Sequence, residues 1–267
     1  MNMLAVCSSA PKSRFIAESI LSDQVTLNIN PILESYPCQV TEITPLGSKV
    51  LQAWLMVPRH FPRYSAGQYV ELQLADGTSR PFSIANCPNE SGYLELHIEQ
   101  RPDSDALCAI LQQMQVYGDI NVKPAAGDVR LKPVKGPSVF LAAGTGFSQI
   151  KSLLEQHILD LSSNNDDSQT PLYLFWGVDQ PDQRYLERLI DDWCRDHQHF
   201  HYRPLNWLAG DTWHDAVASE LSDLSNCHVY ACGSPQRVYQ TVEKLERLGL
   251  PSSQSQSDVF AYAPRGK

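Results

Sequence analysis

The fold of this chain is decided by the stretch Ser138-Val139-Phe140-Leu141-Ala142-Ala143-Gly144-Thr145-Gly146. Its first six residues form a short apolar run that is typical of a buried strand, and the glycines that follow indicate a tight turn. From residue 147 to residue 161 the apolar side chains then recur at helical spacing. The stretch therefore predicts a strand, a glycine turn and a helix, in that order.

The same unit recurs three times downstream. Strands are predicted at 172–177, 199–205 and 228–233, helices at 182–195, 213–224 and 235–248, and a last strand at 258–262. Strands that alternate with helices predict a doubly wound parallel sheet with right-handed crossovers. Ligands on such sheets bind beyond the carboxyl ends of the strands, so candidate site residues should lie there.

Upstream of the glycine turn the pattern changes to short, closely spaced strands. They are predicted at 38–43, 49–57, 68–74, 80–85, 93–99, 119–122 and 128–131, with one helix at 105–116. Short strands separated by turn residues predict a barrel or sandwich, which the last two strands would close as a barrel. The predicted fold class is a β-barrel domain at 37–132 followed by an α/β doubly wound parallel-sheet domain at 133–267. Residues 1–36 form an N-terminal extension with one predicted strand at 24–29.

Composition excludes several functional classes. The 267 residues are 42% hydrophobic and 19% charged, which is globular, and a formal charge of -9 argues against nucleic acid or an anionic membrane as the main partner. The seven cysteines contain no C-x-x-C pair, so structural disulfides and a zinc site are not expected and a cytoplasmic location is. No apolar run approaches the roughly 20 residues of a membrane span.

The stretch Arg80-Pro81-Phe82-Ser83-Ile84-Ala85 follows a predicted hairpin turn at 75–78. An arginine fork binds anions bidentately, an aromatic ring lies along a planar ligand, and a hydroxyl pairs with a ring nitrogen. Together these groups suit a flat, phosphorylated cofactor. Taken alone, the segment also fits an ordinary strand with a surface arginine.

Two glycine loops are expected at one edge of the parallel sheet. Gly144-Thr145-Gly146 opens a helix, where free backbone N–H groups can receive a pyrophosphate, although a simple tight turn fits the same residues. Cys232-Gly233-Ser234-Pro235 follows a later strand and opens another helix. Cys232 could border a reactive ring or could be a buried strand-end cysteine.

Alternating histidines at 197, 199 and 201 could place metal ligands on one face of a strand. No carboxylate or cysteine completes a known ligand spacing, so a solvated edge strand is the preferred interpretation and no metal site is expected.

Four motifs in this order resemble the ferredoxin:NADP reductase superfamily. They are Arg80-Pro81-Phe82-Ser83, His97-Ile98-Glu99, Ala143-Gly144-Thr145-Gly146-Phe147-Ser148 and Tyr230-Ala231-Cys232-Gly233-Ser234-Pro235. The resemblance covers about residues 36–262. The ending Asp258-Val259-Phe260-Ala261-Tyr262 is similar to that of the bacterial NAD(P)H:flavin reductases.

The resemblance implies a role for each motif. Ser83 would hydrogen-bond flavin N5, Arg80 would neutralise a flavin phosphate, and Thr145 and Cys232 would flank the nicotinamide. Ser83 and Cys232 are thus the implied catalytic residues. The implied cofactor-binding residues are Arg80, Pro81, Phe82, Ser83, Ile84, Ala85, His97, Ile98, Glu99, Ser104, Gly144, Thr145, Gly146, Asp179, Gly233, Ser234, Pro235, Phe260 and Tyr262.

Two departures from the family pattern bear on the cofactors. The stretch Arg101-Pro102-Asp103-Ser104-Asp105-Ala106 stands where tight FAD binders carry a glycine-rich turn, and its two aspartates would repel a diphosphate. This departure argues against tight FAD retention, so weak or exchangeable flavin is an alternative to tightly bound flavin, with FAD and FMN both open. Asp179 after the second parallel strand favours a free ribose hydroxyl, which points to NADH over NADPH.

The extension resembles the tail of a plant-type ferredoxin domain, but only Cys7 precedes the barrel, so no 2Fe-2S cluster is expected. The resemblance implies an enzyme in which NAD(P)H reduces a flavin and the electrons pass to free flavin or to an electron-acceptor protein. The alternatives are a non-catalytic flavin- or nucleotide-binding regulatory subunit and a domain pair without cofactor. Oligomeric state is not predicted.

Overall fold

The computed structural model describes residues 35–88, 91–133, 136–163 and 170–265. The strand predicted at 24–29 and Cys7 lie outside these residues. The described residues belong to one compact unit that contains two β-sheets.

The first sheet is antiparallel and has six strands. They are β1 (Tyr36–Pro45), β2 (Val50–Met56), β3 (Tyr69–Gln73), β4 (Ser79–Ser83), β5 (Tyr93–Glu99) and β6 (Asp119–Val122). Their order is β4-β3-β6-β1-β2-β5. The two end strands also meet, because Ile84 bridges Leu96 and the N–H of Ala85 donates to the carbonyl of Glu95 at 2.7 Å. The sheet is therefore closed as a barrel, as the sequence predicts, but the closure joins β4 to β5 and is not made by the last two predicted strands.

The predicted hairpin turn before β4 is confirmed. The N–H of Leu74 donates to the carbonyl of Thr78 at 2.8 Å, and Gly77 adopts a φ of 89°, which side chains rarely tolerate. Val70 then pairs with Phe82 across the two strands. The turn thus sets the register that leaves Arg80 exposed and Ser83 half-buried.

The helix predicted at 105–116 is present as α1 (Asp105–Gln112), which widens into a π-helical turn at Gln113–Tyr117. The strand predicted at 128–131 is wrong. Gly127, with a φ of 95°, turns the chain away from the barrel after a single bridge between Ala126 and Tyr69. The backbone of Arg130 then pairs with the side chain of Gln256 instead of a strand, with hydrogen bonds of 3.1 and 2.8 Å.

The second sheet is parallel and has five strands. They are β7 (Ser138–Ala143), β8 (Leu172–Val178), β9 (Phe200–Asn206), β10 (His228–Cys232) and β11 (Ser255–Gln256), in the order β11-β10-β7-β8-β9. The helices are α2 (Phe147–Ser163), α3 (Glu187–Asp196), α4 (Trp213–Glu220), α5 (Pro235–Arg247) and α6 (Val259–Tyr262). The predicted α/β class is confirmed.

Helices cover both faces of this sheet because its strands are apolar on both sides. Phe140 and Trp176 face one core with Ile150 of α2 and Ile190 of α3. The alternate residues of β7 and β10, including Val139 and Val229, face a second core with α4 and α5. The carboxyl ends of the strands stay uncovered, and one of those ends carries the Gly144–Gly146 turn.

One predicted strand and one predicted helix start are wrong. Residues 258–262 form helix α6 and not a strand, because the carbonyl of Asp258 accepts hydrogen bonds from the N–H groups of Ala261 and Tyr262. The last strand lies just before, at Ser255–Gln256. Helix α3 begins at Glu187 and not at residue 182, since a separate 3-10 turn occupies Pro181–Gln183.

Within the described part of the chain, no helix is both long and apolar enough to cross a membrane.

Candidate functional site

A groove runs along the carboxyl edge of the parallel sheet, where the barrel meets it, and consists of three adjoining clefts. The central cleft has a volume of about 540 Å³ and lies between β4, β5 and the loops after β7 and β10. The strand-end cleft, about 390 Å³, shares Thr145 and Ser234 with it. The terminal cleft, about 460 Å³, shares Ser83 and Cys232 with the central cleft.

All four sequence motifs meet in the central cleft, although they are far apart along the chain. Its lining includes Arg80, Pro81, Phe82 and Ser83 from β4, His97 and Glu99 from β5, Ser104 before α1, Thr145 and Gly146 from the turn after β7, and Cys232, Gly233 and Ser234 from the end of β10. The arrangement brings a barrel strand and two glycine loops of the parallel sheet around one space.

Two glycines allow the loops to pack against each other. A Cβ atom on Gly146 would lie 2.5 Å from the carbonyl oxygen of Cys232, and one on Gly233 would lie 2.9 Å from the ring of Trp213. Gly144 has a φ of 53°, and its carbonyl accepts a hydrogen bond from the indole of Trp176 at 3.0 Å. Gly146 and Gly233 are therefore required by close contact, and Gly144 is favoured by its positive φ.

The strand-end cleft holds the residues beyond the ends of β7, β8 and β10. Gly144 and Thr145 line one side, Asp179 follows β8, and Arg237 projects from the first turn of α5. Ser234 caps that helix, because its hydroxyl accepts the N–H of Arg237 at 3.4 Å. The cleft thus combines two helix beginnings with the exposed carboxylate of Asp179 and the guanidinium of Arg237, and its lining also includes Glu99, Arg101 and Asp182.

The terminal cleft is lined by Tyr69 of the barrel and by Asp258 and Tyr262 at the end of the chain. Burial raises the pKa of Asp258, and the side-chain amide of Gln149 donates to its carboxylate at 2.5 Å. Phe260 does not line any of the three clefts, since its ring packs 5.6 Å from that of Tyr239.

Four more of the expected cofactor-binding residues lie away from the clefts. Ile84, Ala85 and Ile98 are fully buried in the barrel, and Pro235 is the first residue of α5. Their side chains shape the strands and the helix that carry the cleft-lining residues.

A buried polar cluster behind the central cleft is not apparent from the sequence. Lys151 of α2 donates to Glu95 at 2.7 Å and to Glu155 at 2.6 Å, while Glu95 and Lys151 are 2% and 7% exposed. Glu95 also accepts a hydrogen bond from His97 Nε2 at 2.8 Å. Because Nε2 carries the proton, Nδ1 of His97 accepts the hydroxyl proton of Tyr185 at 3.1 Å.

The cluster keeps its charges in spite of burial. Burial raises the pKa of Glu95, but the hydrogen bond from His97 and the charge of Lys151 outweigh this effect and lower the pKa to about 2. Burial also lowers the pKa of His97. A neutral histidine, an ionised Glu95 and an ionised Lys151 therefore tie β5 to α2 and so tie the barrel to the parallel sheet.

Sequence patterns do not distinguish Glu95, Lys151 and Glu155 from ordinary surface residues. Glu95 occupies a polar position in an alternating strand, and Lys151 and Glu155 have the spacing of an ordinary surface pair on a helix. Only the packing of α2 on the barrel buries them. The one available signal is that Lys151 falls between the buried apolar residues Ile150 and Leu153.

Cys232 is a neutral thiol in this site. Burial, with a smaller effect of the negative charge of Asp258, raises its pKa to about 12. The thiol can contact a planar ring but does not act as a thiolate near neutral pH.

The histidines considered as metal ligands do not converge. His197 ends α3, whereas the ring of His201 in β9 stacks on Tyr173 at 4.8 Å. In the described ranges, no group of three or more histidine, cysteine, aspartate or glutamate side chains could hold a metal ion.

The groups around the central cleft suit a flat, anionic ligand. Among the described residues, the hydroxyl of Ser83 and the thiol of Cys232 have no hydrogen-bond partner, and Arg80 donates only to the neighbouring carbonyl of Ser79, at 2.9 Å. Phe82 adds a half-buried ring to the same wall. Free donors and an aromatic ring around one cleft match the chemistry of a flavin.

Comparison with known proteins agrees with this geometry. Residues 140–244 match the family model described as the oxidoreductase NAD-binding domain. A reductase of Yersinia pestis, CDP-6-deoxy-L-threo-D-glycero-4-hexulose-3-dehydrase reductase, is 30% identical over 237 residues, which cover 85% of this chain and 69% of that protein. A probable flavin reductase of Photobacterium leiognathi is 29% identical over 240 residues, which cover 85% of this chain and 99% of that protein.

A solved structure shares the fold. The crystal structure of an Amycolatopsis cytochrome P450 reductase superposes with a TM-score of 0.70 at 21% identity, over 84% of this chain and 68% of that one. The sequence relatives, the matched nucleotide-binding region and the barrel followed by a parallel sheet lead to one assignment: the chain belongs to the ferredoxin:NADP reductase superfamily of flavin-dependent oxidoreductases.

Proposed function

We propose that this protein uses NADH to reduce a flavin held in the central cleft, and that the electrons leave to free flavin or to an acceptor protein. The observation that carries the proposal is the convergence of Ser83, Thr145 and Cys232 on one cleft. These residues come from the barrel and from two separate loops of the parallel sheet. A cleft built in this way can hold two flat ligands against each other and keep water from between them.

A bound flavin supplies the redox chemistry, because it takes up a hydride and can release electrons singly or in pairs. The protein supplies orientation. Ser83 offers a hydroxyl without a partner among the described residues, and its half-buried position on β4 holds that hydroxyl at the cleft wall. Thr145 and the neutral thiol of Cys232 face the same space from the sheet. These three groups would set the distance and angle between nicotinamide and flavin.

Arg80 is the residue we assign to the flavin phosphate, since it is exposed and lacks a carboxylate partner among the described side chains. Arg101 is less available because both its Nε and Nη2 donate to Glu99, at 3.1 and 2.7 Å. Asp103 and Asp105 add negative charge beside it. This balance favours a flavin that binds reversibly over one that is retained through purification.

NADH is the proposed hydride donor because of Asp179. Its carboxylate is exposed in the strand-end cleft directly after β8. A carboxylate there can accept hydrogen bonds from ribose hydroxyls, whereas it repels the extra phosphate of NADPH.

The acceptor is proposed from the relatives. One is named a probable flavin reductase, which suggests free flavin as the acceptor, and another is named the reductase of a dehydrase, which suggests a protein acceptor. All the relatives compared above are named reductases, so the regulatory-subunit alternative finds no support there.

The test is anaerobic stopped-flow reduction of FAD and FMN by NADH, with wild type and with Ser83→Ala. Loss of one positioned hydrogen bond should slow hydride transfer by about 10- to 1000-fold. Ser79→Ala is the matched control, because Ser79 lies on the same strand but donates to Glu71 at 2.8 Å and lines none of the clefts.

The possible results distinguish a failure of the proposed function from a failure of the role assigned to Ser83. Failure of the wild-type protein to oxidise NADH with either flavin would contradict the proposed function. Activity in wild type with equal rates for Ser83→Ala and Ser79→Ala would leave the function standing and remove the role assigned to Ser83.

A further inference from the structure

Arg237 is the arginine of the strand-end cleft that is placed to meet a ligand. Its guanidinium carbon lies 3.9 Å from the centre of the Trp207 ring, and its side chain is half-buried. In the described part of the chain, the guanidinium makes no hydrogen bond and no ion pair. By contrast, Arg101 and Arg184 are paired with Glu99 and Glu187.

An arginine carries five N–H donors in a fixed plane, and burying such a group without a partner is costly. Burial lowers the pKa of Arg237, although the charge of Asp179 partly opposes this effect. A half-buried, unpartnered guanidinium that lines a cleft is therefore suited to receive an anion.

The Trp207 ring that lies against this guanidinium is held in place by the fold. Trp207 follows β9 and lies against the end of β8, where a Cβ atom on Gly177 would come within 1.8 Å of the indole ring. Trp213 packs edge-on against Trp207 at 5.6 Å. Gly177 and Trp213 thus hold the indole in place, and the indole in turn holds the plane of Arg237.

The surroundings identify the anion. Gly144 at the turn before α2 and Ser234 at the start of α5 line the same cleft, so two helix beginnings add positive potential. Of the acidic residues in the cleft, Glu99 is neutralised by Arg101, while Asp179 and Asp182 remain exposed. A phosphate ester on a ribose beside Asp179 would be repelled by that carboxylate, whereas a diphosphate on Arg237 would have the guanidinium and the two helix beginnings to offset the charge of Asp179.

We propose that Arg237 binds the diphosphate of the nicotinamide dinucleotide and that Trp207 is the residue that positions it. The inference rests on the proposed function, because it assumes that the dinucleotide occupies the strand-end cleft. It assigns affinity for the dinucleotide to Arg237 and discrimination against NADPH to Asp179.

The experiment compares wild type, Arg237→Met and the control Arg247→Met, which removes an exposed charge from the far end of the same helix. Calorimetric titration with ADP, adenosine and 2'-AMP measures binding without turnover, and steady-state kinetics give KM and kcat for NADH. Arg237→Met should weaken ADP binding and raise KM for NADH by about 10- to 100-fold, with adenosine binding, flavin affinity and kcat nearly unchanged. Arg247→Met should match wild type.

Trp207→Leu keeps the guanidinium of Arg237 but removes the indole ring that holds it in place. It should therefore also weaken ADP binding, by a smaller factor than Arg237→Met does. Equal ADP affinity in wild type and Arg237→Met would overturn the inference. Loss of 2'-AMP binding with ADP and NADH unaffected would also overturn it, because Arg237 would then serve a ribose phosphate. A wild-type protein that neither binds ADP nor oxidises NADH with flavin would instead refute the proposed function.

Discussion

Replacing Lys151 by methionine should destabilise the protein strongly, although the residue touches none of the clefts. Its ammonium group is 2.7 Å from Glu95 and 2.6 Å from Glu155, and Glu95 is 2% exposed. Methionine fills a similar volume but leaves the Glu95 carboxylate buried without its cation. Removing one partner of a buried pair costs about 3 to 5 kcal/mol, out of a total of roughly 5 to 15 kcal/mol for a domain.

The lowered pKa of Glu95 reflects the stabilisation of its carboxylate by His97 and Lys151 together. A fall of the pKa from 4.5 to about 2 on folding corresponds to about 3 kcal/mol of stability in the ionised state. Because the folded-state pKa is lowered, this stability is fully present above pH 4.5 and is lost as the pH falls from 4.5 towards 2. The difference between wild type and Lys151→Met should therefore shrink across the same range.

The assay is urea unfolding followed by tryptophan fluorescence, near neutral pH and at acidic pH. Lys123→Met is the matched control, since Lys123 also lies 2.7 Å from a carboxylate, that of Glu71, but the two side chains are 21% and 34% exposed. A pair that keeps this much contact with solvent contributes much less than a buried one, about 1 kcal/mol. Equal losses for Lys151→Met and Lys123→Met near neutral pH would refute the reasoning, as would a Lys151→Met deficit that does not shrink in acid.

Two further changes test other contacts of the groove. Tyr185→Phe removes the hydroxyl that donates to the buried Nδ1 of His97 at 3.1 Å, so the free energy of unfolding should fall by about 1 to 3 kcal/mol; an unchanged urea midpoint would show that the bond is not formed. Gly146→Ala places a Cβ atom 2.5 Å from the carbonyl oxygen of Cys232, so the loops must separate and the stability should drop by about 1 to 3 kcal/mol. Fluorescence titration with flavin should also show weaker binding in this variant, and flavin affinity equal to that of wild type would contradict the close contact.

Much of the fold follows from local patterns. Apolar runs of strand length, helical spacing and glycine turns predict the alternation of strands and helices from residue 138 onward, and the turn before β4 predicts the hairpin. These patterns are reliable because each one depends on the burial of a single element. Its buried apolar side chains recur every two residues in a strand and about every 3.6 residues in a helix. The same reasoning fails at 128–131 and 258–262, where short apolar runs carry no period that separates strand from turn or helix.

The candidate site is likewise predictable from the sequence only in part. The glycine and cysteine motifs are visible in the sequence because they stand at the ends of β7 and β10, where parallel strands must bring them to one edge. Arg80 and Ser83 lie on the antiparallel strand β4, and the packing of the barrel on the parallel sheet brings them to the same cleft. The Glu95 and Lys151 pair and the stacking of Arg237 on Trp207 are not visible, since each joins residues from different elements.

The sequence by itself determined the types and order of most of the elements and the edge at which ligands bind. Only the tertiary structure decided which charged groups are buried in pairs and which remain without a partner at the groove. The physical reason is that hydrophobic periodicity specifies which face of each element is buried. The partners of a polar side chain depend instead on how two such faces dock, as they do where α2 meets the barrel.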